Sequence, residues 1–128
     1  MNLLDGYRVM LNFLESYYWK TKADELGGLL GSMSLLSDNT PADPAFEDDW
    51  KEAVSQIVGQ SKVDALSSDN VYWAMVTFLR NWAALGTDGT ISELCYILEM
   101  SSSNIDDWQN ALSTVTTGND DPYLRLLK

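Results

Sequence analysis

The sequence predicts an all-α fold: a six-helix bundle built from two tandem three-helix repeats, with a short C-terminal helix. Three observations carry that expectation. Apolar residues recur at three- and four-residue spacing, the period that draws one stripe along a helix. Blocks in the two halves echo one another residue by residue. No stretch alternates with period two over Val, Ile and Thr for long enough to argue for a strand.

The first helix carries its stripe at Leu3, Tyr7, Met10, Leu11, Leu14, Tyr17 and Tyr18. A shift of 65 lays Tyr7, Met10, Phe13 and Leu14 over Tyr72, Met75, Phe78 and Leu79, and Tyr17 over Trp82. The twin helix therefore repeats the stripe at Tyr72, Met75, Val76, Leu79 and Trp82. The same shift sets Leu26, Leu29, Leu30 and Met33 of the second helix against Ile91, Leu94, Cys95 and Leu98. Gly27, Gly28 and Gly31 fall inside that second helix, where each costs ~1 kcal/mol relative to Ala. Their counterparts are Ser92, Glu93 and Tyr96, so the unit does not demand glycine. Either a neighbouring helix approaches closely there, or the bare face receives a partner.

Asp43-Pro44 opens the third helix, with Asp as N-cap and Pro at the first helical position. A shift of 58 lays Asp48-Asp49-Trp50 over Asp106-Asp107-Trp108, with Ala53 over Ala111 and Ser55 over Ser113. The change of shift places seven extra residues in the first half, within Leu36 to Pro44. Thr90-Ile91-Ser92-Glu93 reads as a capping box for the fifth helix, and Ser103 with Asp106 starts the sixth more weakly. Gly86, Gly89 and Gly118 punctuate helix ends, and Asp121-Pro122 precedes a short helix holding Tyr123, Leu124, Leu126 and Leu127. The repeats span about residues 3–60 and 68–117 of one 128-residue domain.

Composition bounds the function. A chain of 128 residues buries enough surface to fold without disulfides or metal. Its 45% hydrophobic residues, five Trp and six Tyr exclude a disordered chain. Nineteen acidic residues face eight basic ones, a net charge of −11. That balance argues against nucleic acid and anionic lipid as partners and favours a basic one. The absence of His removes the commonest general base and metal ligand. Cys95 is alone, so structural zinc and an internal disulfide are excluded, which fits a reducing, cytoplasmic setting. It reads as a small buried hydrophobe. No signal peptide or membrane-spanning run is evident. Neither a cofactor nor a catalytic or metal-binding residue is expected.

The candidate binding residues are acids and aromatics. Asp38, Asp43 and Glu47 gather around the seven-residue excess, and Glu47 has Ile105, not an acid, as its counterpart. Asp48 and Asp49 are read as first-turn carboxylates favoured by the helix dipole, a structural reason that their recurrence at Asp106 and Asp107 supports. Trp50 and Trp108 are read as core anchors. Tyr17, Tyr18 and Trp19 are consecutive, so one helix face cannot bury all three. Tyr18, Trp19 and Trp73 thus become candidate interface anchors, exposed aromatics among acids, with partial burial as the alternative. Adjacent carboxylates without a nucleophile, phosphate loop or ligand cluster do not suggest catalysis.

The stretch Leu26-Gly27-Gly28-Leu29-Leu30-Gly31-Ser32-Met33, continuing through Asp38 and Asp43-Pro44-Ala45 to Asp49-Trp50, follows a Tyr-rich helix from Tyr7 to Tyr18. Over this first half the chain resembles small acidic bacterial immunity proteins of polymorphic and contact-dependent growth-inhibition toxin systems. The second half matches mainly as an internal echo. The resemblance implies a protein that binds and neutralises a toxin domain, without identifying the toxin or supplying catalytic residues. A nuclease toxin would present a basic cleft that an acidic cap could fill. The competing expectation is a helical scaffold or adaptor that holds a peptide or self-associates; a carboxylate-dependent hydrolase is a third.

Overall fold

The computed structural model describes residues 1–22, 24–33, 43–84, 89–100 and 104–116, apart from the side chains of residues 25 and 90. Among them are six α-helices and no strand. In chain order these are α1 (Leu3–Thr21), α2 (Asp24–Ser32), α3 (Pro44–Val58), a 3₁₀ turn (Gln60–Lys62), α4 (Ser68–Ala83), α5 (Thr90–Met100) and α6 (Ile105–Thr116). No described helix is long and apolar enough to cross a membrane. The expected C-terminal helix, Asp38, Gly86, Gly118 and Ser103 lie outside the described residues, as does the Thr90 hydroxyl of the expected capping box.

Local chemistry accounts for the helix starts. The Asn2 side chain accepts the Asp5 N–H at 2.8 Å and caps α1. Asp43 caps α3 by accepting the Ala45 N–H at 2.9 Å, with Pro44 in the first helical position, as the sequence suggested. Ser67 and Asn70 cap α4 reciprocally: the Ser67 hydroxyl accepts the Asn70 N–H at 3.1 Å, and the Asn70 side chain accepts the Ser67 N–H at 3.0 Å. That box uses Asn where Glu or Gln is usual, so the common Ser-x-x-Glu pattern does not reveal it. Gly59 ends α3 at φ 83°, where its N–H donates to the Ser55 carbonyl at 2.8 Å.

Packing follows the apolar stripes. Helix α1 buries Tyr7, Met10, Leu11, Phe13 and Leu14; α4 buries Val71, Met75, Val76, Phe78 and Leu79. Each lies against the helix that follows it, α2 and α5, and α1 also touches α4. The third helices behave differently. Helix α3 packs mainly on α4, and α6 packs on α1.

Matched side chains make matched contacts. The Tyr7 hydroxyl donates to the Met33 carbonyl at 3.1 Å, and the Tyr72 hydroxyl donates to the Leu98 carbonyl at 2.6 Å. Trp50 stands edge-on to Tyr7 (6.3 Å) and to Phe78 (6.2 Å). Trp108 stands edge-on to Tyr72 (5.2 Å) and to Phe13 (5.6 Å). Met1 and Leu66 exchange both backbone hydrogen bonds, Met1 N to Leu66 O at 2.7 Å and Leu66 N to Met1 O at 2.8 Å.

The glycines of α2 divide. A Cβ at Gly27 would come within 2.9 Å of the Tyr18 ring, so close approach holds there, although the neighbour is a side chain of α1. At Gly28 and Gly31 an added Cβ meets nothing within 4 Å, so the expected close helix approach is not found at either. A second tight position is Gly6, where a Cβ would lie 3.1 Å from Trp50 and 3.3 Å from Leu66 and Val71. Gly6 and Val71 occupy matched positions, so one residue of the pair must be small for α1, α3 and α4 to meet. Gly6→Val is expected to destabilise the fold by about 1–3 kcal/mol through overpacking. Gly28→Ala is expected to gain up to about 1 kcal/mol from helix propensity. Urea unfolding midpoints check both signs.

Candidate functional site

The acidic start of α3 stands beside the start of α1. The Trp50 indole N–H donates to the Leu3 carbonyl at 2.9 Å and fixes the two helices there. Glu47 then faces a shallow hollow of about 230 Å³ that also involves Leu3, Leu4, Tyr7, Trp50 and Asp64. The Asp64 carboxylate accepts the Leu3 N–H at 3.1 Å.

Asp43, Glu47, Asp48 and Asp49 are all exposed. Only Glu47 lies in the first turn of α3, so Asp48 and Asp49 are not first-turn carboxylates as expected. Pro44 starts the helix early enough to place them in the second turn, where the dipole's effect has faded. Asp106 and Asp107 do lie in the first turn of α6. Asp49 faces a different hollow, of about 210 Å³, with Glu52, Phe78, Asn81 and Trp82. Among the described residues no cation pairs with Glu47, Asp48 or Asp49. Three of the described cations pair elsewhere, Arg8 with Asp5, Lys20 with Asp107 and Arg80 with Glu99, and α3 itself carries one cation, Lys51, beside Glu47, Asp48, Asp49 and Glu52.

The aromatic candidates lie apart from these acids. Along α1, Trp19 is about 24 Å from Leu3 at 1.5 Å per residue, so it cannot share the hollow at the start of α3. Tyr18 is half-buried over the Gly27 backbone. Trp19 is 44% exposed, but the Lys22 ammonium lies 3.4 Å from its ring centroid. An aromatic among acids was the expectation; the neighbour found is a lysine, placed there by the left-handed turn at Lys22 that ends α1.

Trp73 belongs to a third place, a cleft of about 500 Å³ between the start of α4, the end of α5 and the start of α6. Tyr72, Trp73, Leu98, Met100, Ile105 and Trp108 supply its apolar lining, and Asp69 and Glu99 its charges. Trp73, Met100 and Ile105 are 45%, 69% and 56% exposed. The sequence reading missed Met100 and Ile105. The available signal was Ile105 standing where the other half has Glu47, an isoleucine at a position that faces outward.

Burial dominates the chemistry of the titratable groups. Tyr7 is held well above its ordinary pKa by desolvation, helped by the negative charges of Asp43 and Glu47. Burial also raises Tyr72 and Cys95, and the Arg80 charge partly opposes it at Cys95. The Cys95 thiol therefore stays neutral and packed. Among the described residues no three Cys, Asp or Glu side chains converge as a metal ion would need. The arrangement offers surfaces for binding, one acidic and one apolar with acidic edges. Comparison with protein-family models, curated proteins and solved structures finds no significant match to this chain.

Two outcomes follow from these positions. Asp43→Ala is expected to cost about 1 kcal/mol by removing the N-cap, whereas Asp43→Asn keeps the cap and costs a few tenths; urea unfolding distinguishes them. Tyr7 stabilises the fold fully below its unfolded pKa of 10.0. Above that pH the unfolded chain releases the proton and the folded chain retains it, so stability falls by at most about 1.4 kcal/mol per pH unit for this group. Tyr7→Phe is expected to flatten the alkaline decline in unfolding midpoint, while lowering stability near neutrality by about 1–3 kcal/mol because the Met33 carbonyl loses its donor.

Proposed function

We propose that this chain is a cytoplasmic immunity protein that binds and neutralises a cognate toxin domain, a nuclease, through an acidic surface. The observation that carries the proposal is the exposed set Asp43, Glu47, Asp48 and Asp49, on which no described cation pairs with the last three, in a chain of net charge −11. A surplus of carboxylates, Glu47, Asp48, Asp49 and Glu52 against Lys51 on α3, raises the on-rate toward a basic cleft and imitates the phosphates that such a cleft binds. We further propose that the fold is two copies of a three-helix unit, as the matched tyrosine hydrogen bonds and tryptophan contacts suggest. The copies would exchange their third helices.

A second reading, a helical scaffold or adaptor that holds a peptide, is favoured by the apolar cleft at Trp73 and Ile105. Genomic position separates the two: a toxin gene beside this one favours immunity, an operon of assembly factors the adaptor. The direct test mixes the protein with the toxin domain encoded immediately upstream and measures both binding and toxin activity. Protection is expected. Glu47→Lys with Asp48→Lys is expected to slow association about tenfold or more at low salt, with a smaller effect at high salt. No protection would sink the immunity proposal, and an unchanged association rate would remove the acidic surface from it.

A further inference from the structure

We propose that the cleft between α4, α5 and α6 docks a cationic protein segment through a large apolar anchor side chain, with Trp73, Met100 and Ile105 as its contact surface. The inference rests on the reading of this chain as a binder of a basic partner, and it assigns the anchoring contact to residues of α4, α5 and α6, none of them shared with the acidic start of α3.

Three observations support it. First, three of the six large hydrophobic side chains exposed among the described residues converge on this one cleft. Contiguous exposed apolar surface rimmed by polar groups marks interaction sites. Second, the two charged residues lining it, Asp69 and Glu99, are both acidic; Arg80 pairs with Glu99, and exposed Asp69 stands with exposed Asp106, which follows Ile105 directly. Charge complementarity therefore selects lysine or arginine around the anchor. Third, two of the three contact residues have charged counterparts in the first half. Tyr7 and Trp50 are retained there, but Arg8 stands in place of Trp73 and Glu47 in place of Ile105. These two apolar side chains are thus specific to the second half; the counterpart of Met100, Leu35, lies outside the described residues.

The rim also favours a protein segment over a small ligand. Met100 and Ile105 are more than half exposed, so a molecule seated in the cleft floor would leave them in water. A polypeptide lying across the cleft would cover both and place its basic side chains near Asp69 and Asp106. Hot-spot anchors behave this way, an apolar side chain in a pocket enclosed by polar edges.

The test uses a synthetic amphipathic peptide of Leu, Trp and Lys, a second version with every Lys replaced by Glu, and a third with Leu and Trp replaced by Ser. Calorimetric titration into the full chain is expected to show binding of the first peptide only. Trp73→Ala and Ile105→Ser, both at exposed positions, are expected to weaken it about tenfold or more with urea midpoints nearly unchanged. Equal binding of the Glu peptide, or indifference to both cleft substitutions, overturns the proposal. Self-association of the free chain that Ile105→Ser abolishes would assign the cleft to a second copy and overturn it too. So would tighter peptide binding by the full chain carrying Arg125→Glu and Lys128→Glu, which assigns the cleft to its own terminal residues. The same cleft variants titrated with the upstream toxin domain separate the two proposals: protection that survives both substitutions sinks the cleft while immunity stands. Peptide binding without protection sinks immunity alone.

Discussion

Trp50 and Trp108 each bridge a tyrosine of their own half and a phenylalanine of the other, and these paired contacts decide which helices touch. An indole wedged between two rings in edge-on geometry gains beyond its buried area, about 0.5–1.5 kcal/mol per ring pair. It also requires both neighbours to hold still. Tyr7 and Tyr72 do so by donating their hydroxyls to the ends of the following helices at Met33 and Leu98. A single arrangement therefore ties three helices together twice. The close meeting at Gly6 belongs to the same arrangement, because the Trp50 ring lies against the Cα from which a larger side chain would project.

The outward face of each third helix follows from that anchoring. Once Trp50 and Trp108 point inward, the residue three positions earlier in each helix lies toward the edge of the buried face, beside the preceding tyrosine. That residue is Glu47 in one half and Ile105 in the other. One position thus contributes a carboxylate to a small hollow and an isoleucine to a larger cleft. In the proposed two-unit fold the framework would be shared, and the chemistry at these two positions would not.

Much of the fold could be seen in the apolar spacing, because a helix stripe is a local pattern and the tyrosine, phenylalanine and tryptophan positions recur. The Asp43-Pro44 start was equally local, since a cap and its N–H donor are two residues apart. What could not be read was the partner of each stripe. Nothing in residues 44–58 says that they pack on α4 more than on α1. The site suffered for the same reason. Trp19 looked like an exposed aromatic among acids until the turn at Lys22 laid an ammonium over it, a contact that depends on one backbone angle. Ile105 looked like an ordinary helix residue because exposure is set by tertiary packing.

The distribution of ion pairs gives the two surfaces different physical roles in the proposed binding function. Arg8, Lys20 and Arg80 compensate acids on α1, α6 and α5, close to where they stand. Helix α3 carries Glu47, Asp48, Asp49 and Glu52 against the single cation Lys51, a local surplus of acid that leaves a negative long-range field there. Such a field acts before contact and mainly raises the association rate, an effect that salt screens. The cleft at Trp73 acts only after contact, by removing apolar surface from water, and would set the rate of departure. A partner held by the acids alone would arrive quickly and leave quickly. Long residence, which the proposed neutralisation of a toxin would require, would need the apolar anchor as well.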